Sequence, residues 1–263
     1  MQANFNLKRE IKNELVCGKT RGGSTPFNFH SQIEIYLVTS GEVEIIINDK
    51  KKILREGELS VALSYDAHGY REIKDAEAFY LIIPTDYCTE FLRSLEGKRT
   101  ESPFIDDKAT VAIVSSAMEK LILGGNEVTK RGLIYVILGA ILDKLQTQQN
   151  SEPHPHRFSA EILIYISKSF REEITLASVA REFGYNPSYL SRSFRETFGI
   201  SFINYLTMIR LREAVLLLRS GKKSITECAF ESGFGSMRSF YRAFHDEFGV
   251  TPKEYFADNT TFQ

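Results

Sequence analysis

Two periodicities divide the chain. Between Phe27 and Pro84 apolar residues alternate or run in short blocks, and beyond Ser102-Pro103 they recur at three- and four-residue spacing. The stretch Ile33–Ser40 sets Ile33, Ile35 and Leu37 on one face and Glu34, Tyr36 and Val38 on the other, as a strand does. Val43–Asn48, Lys52–Glu56 and Phe79–Pro84 are further strands, with Ser40-Gly41 and Asn48-Asp49 as turns. Short, evenly spaced strands predict an antiparallel barrel or jelly roll. Two helices follow, about Ile105–Leu123 and about Glu127–Gln148, the second carrying an apolar stripe of Ile134, Ile137, Leu138, Ile141, Leu142 and Leu145. That stripe can pack on its own barrel or pair with a second copy of the chain, Ile137 and Ile141 included, and its richness favours pairing. Polar residues from Gln146 to Arg157, with Pro153 and Pro155, predict a semi-extended linker.

The last hundred residues contain one pattern twice. Thr175, Ala180 and Gly184 recur as Ser224, Ala229 and Gly233 at an offset of 49, and Phe194, Phe198 and Gly199 recur as Phe244, Phe248 and Gly249 at an offset of 50. A period near this length is a structural repeat. Thr175 and Ser224 are N-cap residues whose hydroxyls can accept an orphan backbone N–H. Gly184 and Gly233 sit where a first helix must end in a left-handed turn. A second helix then buries Leu190, Phe194 and Phe198, or Phe240, Phe244 and Phe248. Each copy is therefore a helix-turn-helix, the motif whose second helix enters the DNA major groove. Between the copies, Phe202–Ser220 reads as a helix of about 18 residues, a rod of roughly 27 Å. Such a rod can hold two recognition helices near one DNA turn apart, about 34 Å.

Subtracting the inward residues leaves Ser188, Ser191, Arg192 and Arg195 outside in the first copy, and Met237, Arg238, Ser239, Tyr241 and Arg242 in the second. Arg grips guanine bidentately, Ser bonds base or phosphate, and Met can touch a thymine methyl. Arg192 and Arg242 are the expected base readers, and Arg195 the phosphate contact. These residues resemble the DNA-binding domain of the AraC/XylS family of bacterial transcription regulators over about Arg157–Phe256. The resemblance rests on Tyr189–Phe194, the Arg210-Leu211 helix, the Gly233-Phe234 turn, Phe240–Phe244 and Gly249–Pro252. Two positions depart from the family's pattern: Cys228 precedes Ala229 where Ile is usual, and Phe256 follows Tyr255 where Arg is usual. The second departure removes a backbone contact that the family's Arg implies.

The N-terminal spacing resembles the cupin barrel that many sensors of this family carry. Gly22, Asn28, His30, Glu34 and Gly41 occupy the positions of the first cupin motif, and Gly57, Leu63, Tyr65, His68 and Glu72 those of the second. His30 and Glu34 lie four apart on one strand face, and His68 would approach from a facing strand. Tyr36, Tyr65 and Tyr80 could wall the same cavity. Aromatic walls with a few convergent polar groups suit a small ligand such as a sugar, so His30, Glu34, Tyr36, Tyr65 and His68 are the expected effector-binding residues. Three N/O donors could also hold a divalent metal, but Asn28 stands where a His is expected. No metal, no cofactor and no catalytic residue is expected. Ordinary core packing of the tyrosines remains open.

Composition adds little. The 263 residues suit two domains, and the apolar content is ordinary. The N-terminus lacks the apolar core of a signal peptide, and Leu133–Leu142 is too short to span a bilayer. Cys17, Cys88 and Cys228 form no Cys-x-x-Cys motif, so three reduced thiols in a cytoplasmic protein are expected. Net charge is −1 overall, while residues 157–263 carry 14 Lys+Arg against 12 Asp+Glu. That balance is weak for DNA, so the argument rests on where the arginines sit. The expected fold is a two-domain α+β chain. Residues 1–150 form a cupin-like antiparallel β-barrel with helices, 151–157 a linker, and 158–263 an all-α domain of two helix-turn-helix motifs joined by a long helix. The expected function is an effector-responsive, sequence-specific DNA-binding transcription regulator, not an enzyme. The family's usual role implies activation, a homodimer, RNA polymerase as a further partner, and no membrane. Two alternatives stay open: control by a protein partner without a small molecule, and a metal-dependent cupin enzyme.

Overall fold

The computed structural model describes residues 3–96, 98–149 and 157–258. The chain divides into two compact units, one of Ala3–Asn6 with Lys12–Pro155, the other of Leu7–Ile11 with His156–Gln263. The expected linker 151–157 lies outside the described residues except for Arg157, the first residue of a helix.

The first unit is built on an eight-stranded sheet. Its strands are β1 (Asn4–Phe5), β2 (Val16–Arg21), β3 (Ser24–Phe29), β4 (Ile33–Ile47), β5 (Lys50–Arg55), β6 (Leu59–Ala62), β7 (His68–Ile83) and, beyond a separate short strand β8 (Lys98–Ser102), β9 (Phe104–Ile105). The path runs β1-β3-β7-β4-β6-β9, with β2 also on β7 and β5 also on β4. All pairs are antiparallel except β1 with β3. Asn48, at φ 54, makes the expected turn between β4 and β5. Ser40-Gly41 does not make one. The chain continues through it as a single strand of 15 residues, and its register on β7 shifts three times between Val38 and Val43. Gly41 has φ +73, and a Cβ there would lie 2.2 Å from the Lys74 carbonyl oxygen. The glycine is a bulge where two backbones press together, and bulges bend and twist the strand that carries them.

That bend rolls the sheet. Glu34 pairs with Ile82 at one end of β4, and Ile47 pairs with His68 at the other. Thirteen residues of flat strand would separate those ends by about 40 Å, yet His68 Nε2 lies 3.5 Å from Glu34 Oε2. The roll gives β4 two buried faces. Ile33, Ile35 and Leu37 pack outward with the helices, while Tyr36, Val38, Val43, Ile45 and Ile47 pack inside the roll with Leu54, Ala62, Tyr70 and Ala78.

The helices of this unit depart from expectation at their ends. A short helix α2 (Thr89–Ser94) precedes α3 (Lys108–Ile122) and α4 (Glu127–Leu142), whereas α1 (Leu7–Lys12) belongs through Leu7–Ile11 to the other unit. Asp107 and Asn126 cap α3 and α4 by accepting from Thr110 and Thr129 backbone N–H groups. α4 stops six residues before Gln148, because Gln146–Gln149 forms strand β10 against β8. The apolar stripe of α4 also has a different partner. Ile134, Ile137, Leu138 and Ile141 are buried in their own unit against α3 and the sheet. The helix face that remains exposed carries Val128, Tyr135 and Val136.

The second unit is helical: α5 (Arg157–Ser169), α6 (Leu176–Glu182), α7 (Pro187–Phe198), α8 (Phe202–Arg219), α9 (Ile225–Glu231), α10 (Met237–Phe248) and α11 (Pro252–Asp258). Thr175 and Ser224 form full capping boxes, with Ser178 and Glu227 side chains reaching back to the cap N–H. Gly184 (φ +69) and Gly233 (φ +84) make the two left-handed turns. Leu190, Phe194 and Phe198 are buried from α7, and Phe240 and Phe244 from α10. Phe248 is only half-buried, stacked between Phe244 (4.6 Å) and Tyr255 (4.8 Å).

Candidate nucleic-acid interface and barrel centre

α7 and α10 are both 12 residues long and start 50 residues apart, so Arg192 and Arg242 hold equivalent positions. Asn186 caps α7, accepting from Ser188 N (2.9 Å), with Pro187 in the first turn; Ser236 caps α10. The buried phenylalanines point one face of each helix inward. The opposite faces present Ser188, Ser191, Arg192 and Arg195, and Arg238, Tyr241 and Arg242, all exposed, with Met237 and Ser239 half-buried. The Ser239 hydroxyl already donates to the Ser236 carbonyl at 2.7 Å, so its first role is in the cap. Sequence reasoning passed over Tyr189, which is 45% exposed on the first recognition helix and packs near Tyr185. Its exposure follows from its place one residue before the inward Leu190.

Pairing separates these arginines from their neighbours. Arg171 pairs with Glu213, and Arg210 donates to two backbone carbonyls. Arg192, Arg195, Arg238 and Arg242 meet no carboxylate among the described residues. Four cationic forks on the two recognition helices, meeting no carboxylate among the described residues, are what a polyanion requires.

Within the rolled sheet, His30, Glu34 and His68 come together with one donor atom each inside 4.8 Å. His30 Nδ1 faces the Gln32 carbonyl at 3.2 Å and His68 Nδ1 the Asp66 carbonyl at 2.8 Å. A ring nitrogen against a carbonyl must carry its proton, so each ring turns Nε2 to Glu34, at 3.3 Å from His30 and 3.5 Å from His68. Burial pushes the Glu34 carboxyl up, but the hydrogen bonds and charge of the two histidines outweigh it and hold it well below the carboxylate range. Burial alone would lower His68; its contact with Glu34 raises it instead. The Tyr36 hydroxyl is pushed up to about 12 by burial and the Glu34 charge. Tyr70, stacked on Tyr36 with centroids 4.5 Å apart, is raised further for the same reasons. Its hydroxyl and His68 Nε2 are buried without an aligned hydrogen bond. Tyr65 sits at the edge in a left-handed conformation (φ 67), its N–H donating to the His30 carbonyl. Asn28 takes no part: its amide donates to the Pro26 carbonyl at 2.9 Å. Tyr70 was missed because nothing local marks it; it stands two residues after His68 on the same strand face.

The two halves match two families separately. A helix-turn-helix domain profile covers residues 179–258, and a cupin domain profile covers residues 19–84. The C-terminal domain of AraT, a response regulator from Geobacillus stearothermophilus, is 37% identical, covering 41% of this chain and 86% of that one, with a TM-score of 0.36. The two matched domains together support an AraC/XylS regulator with a cupin N-terminus. An uncharacterized HTH-type transcriptional regulator of Staphylococcus aureus is 34% identical over 98 residues. That match covers 37% of this chain, which spans 13% of the length of the staphylococcal protein. The HTH-type transcriptional activator RhaS of Mannheimia succiniciproducens is 22% identical over 237 residues, covering 87% of this chain and 88% of RhaS. The chain thus carries a helix-turn-helix domain and a cupin domain, the make-up of an AraC-type regulator. No helix among the described residues is long and apolar enough to cross a membrane.

Proposed function

We propose that this regulator binds one asymmetric DNA site through two successive major grooves and answers to an effector held at the His30–Glu34–His68 centre. Arg192 and Arg242 read bases, one in each groove, and Arg195 holds phosphate. The observation that carries the DNA reading is the pair of equivalent helices whose outward arginines have no carboxylate partner among the described residues. RhaS is an activator by name, and the family's usual role supports activation, contact with RNA polymerase and a cytoplasmic location. Dimerisation, if assigned to α4, falls on Val128, Tyr135 and Val136, since Ile137 and Ile141 serve their own core.

Effector size follows from burial. His30, Glu34, Tyr36, Tyr65 and His68 are all at most 9% exposed. A sugar would have to part these walls, whereas a single divalent ion needs only a small closure of donors that already lie within 4.8 Å of one another. The donor set fits such an ion. Two imidazoles and one carboxylate are a transition-metal set, and Nδ1–H held by a carbonyl is the usual way a ligand ring is oriented. Zinc bonds of about 2.0–2.1 Å place tetrahedral ligands about 3.3 Å apart; Glu34 stands 3.3 and 3.5 Å from the two imidazoles, and the donor set spans up to 4.8 Å, so the rings would close slightly on the ion. The ion would supply the positive charge that Glu34 otherwise draws from the imidazoles; its role is regulatory, since Asn28 leaves the set without the further His of the cupin motif. The test is thermal shift of the full chain with Mn²⁺, Ni²⁺ and Zn²⁺ and with pentose and hexose sugars, alongside His30→Ala and His68→Ala. A shift with one class, lost in both variants, identifies the effector class. Shifts that survive both variants remove this centre from the effector site.

A further inference from the structure

The rod α8 fixes how far apart the two recognition helices stand, but a rod does not fix how one motif is rolled relative to the other. Three elements meet where that roll could be set. The loop between α5 and α6, which leads into the first motif, exposes the Phe170 and Glu172 carbonyls. Arg210, half-buried on α8, donates from Nε to Phe170 O at 2.8 Å and from a terminal nitrogen to Glu172 O at 3.0 Å. The turn of the second motif then closes on the same spot. A Cβ on Gly233 would lie 2.6 Å from Phe170 O, 3.0 Å from Arg171 Cα and 3.0 Å from Arg210 Nε. With φ +84 as well, this position requires glycine twice over, for conformation and for space. A second tie reinforces the first: Arg171, from the same loop, pairs with Glu213 one turn further along α8.

The planar fork of Arg suits this place. It reaches two carbonyls at once, which a Lys ammonium on a flexible stem does not hold in a fixed geometry. The Phe170 carbonyl is otherwise the loose end of a helix terminus, while the Glu172 carbonyl also accepts from Ile174 N–H at 2.9 Å. Removing the fork would leave the first motif attached to α8 through the exposed Arg171–Glu213 pair and through Phe194, which meets Phe202 and Tyr205 at 6.1 and 5.9 Å. Such ring contacts are not directional enough to hold one roll angle.

We infer that the Arg210–Gly233 junction sets the spacing and rotation between the two DNA sub-sites that this protein accepts, with Arg210 as a positioning residue that touches no DNA. This rests on the two-groove reading. One base pair inserted between sub-sites moves the second by about 3.4 Å and about a tenth of a turn, so a fixed junction rejects it and a loosened one tolerates it.

The probe is a set of duplexes selected from a random pool by the full-length wild-type chain. Affinity is measured on the selected site, on the same site with one base pair inserted or deleted between its halves, and on each half alone in neutral flanks. The wild type should lose about tenfold on either spacing variant, the scale of one mismatched position. Arg210→Ala should lose less than about threefold on them, should bind the selected site more weakly, and should bind each isolated half as wild type does. Arg210→Lys should fall between. Gly233→Ala should move the preferred spacing, because its methyl displaces the turn. Circular dichroism melts identify any variant that fails to fold, in which case Glu213→Gln, which loosens the second tie from the surface, is read in its place. Arg210→Ala with undiminished spacing selectivity, or with equal losses on both isolated halves, overturns the inference and leaves the two-groove reading intact. A wild type that selects a one-part site overturns both.

Discussion

Replacing Gly41 by alanine tests the roll that creates the barrel centre. Two costs apply. A non-glycine residue in the left-handed region costs about 1–2 kcal/mol. The added methyl would also stand 2.2 Å from Lys74 O, 2.5 Å from Asp75 O and 2.7 Å from Ala76 Cα. Those contacts are backbone on the facing strand, so no side chain can swing away. The strands must separate by about 1 Å, and forced overpacking of this kind costs about 1–3 kcal/mol. The total is about 2–5 kcal/mol. At about 2–4 °C per kcal/mol for a unit of this size, the N-terminal transition should fall by roughly 5–15 °C. Gly57→Ala is the matched control. Gly57 also has a positive φ, +78, but nothing lies within 4 Å of where its Cβ would be. It should show the conformational cost alone, about 1–2 kcal/mol. Scanning calorimetry of the full chain follows the N-terminal transition, with the C-terminal one as an internal reference. The reasoning also requires a functional signature. Because the roll brings His68 back to Glu34, Gly41→Ala should weaken any ligand shift at that centre while Gly57→Ala should not. Equal losses of stability in the two variants would refute the bulge argument.

Four further outcomes follow from particular contacts. Arg192→Ala and Arg242→Ala should each cost about 1–3 kcal/mol in DNA binding and relax preference at one sub-site only; selection from randomised duplexes that shows both losing the same bases would reject the two-groove assignment. Arg195→Ala should weaken binding to all sequences and reduce the salt slope by about 1, read from affinities across a salt series. Ile137→Glu should unfold the N-terminal unit because it buries an unpaired charge at a position with no exposure, while Val136→Glu should leave the melt unchanged and dissociate any dimer built on α4 in sedimentation. Thr175→Ala and Ser224→Ala each remove an N-cap acceptor and should cost the helical unit about 1 kcal/mol in chemical denaturation.

The helix-turn-helix pair was legible in the sequence because its determinants are local. A capping hydroxyl, a left-handed glycine and phenylalanines at four-residue spacing all act within one or two turns of chain, and each occurs twice. The outward arginines followed by subtraction, and the structure leaves them where the subtraction put them. In the N-terminal half the strands were legible as alternation, but His30 and Glu34 do not share a strand face: His30 stands before the Ser31-Gln32 bend that leads into β4, and that bend turns its ring back onto Glu34. Three things needed the tertiary structure. Ser40-Gly41 carries the residues of a turn, but a bulge uses the same left-handed glycine, and only the facing β7 backbone decides between them. The α4 stripe announces a buried face without saying against what; its own α3 and sheet take it, and not a second copy. His68 is separated from Glu34 by 34 residues of sequence and reaches it only because two long strands roll at Gly41. Periodicity reports which side of an element is buried; distance through space depends on how the whole sheet closes, which no local run of residues encodes.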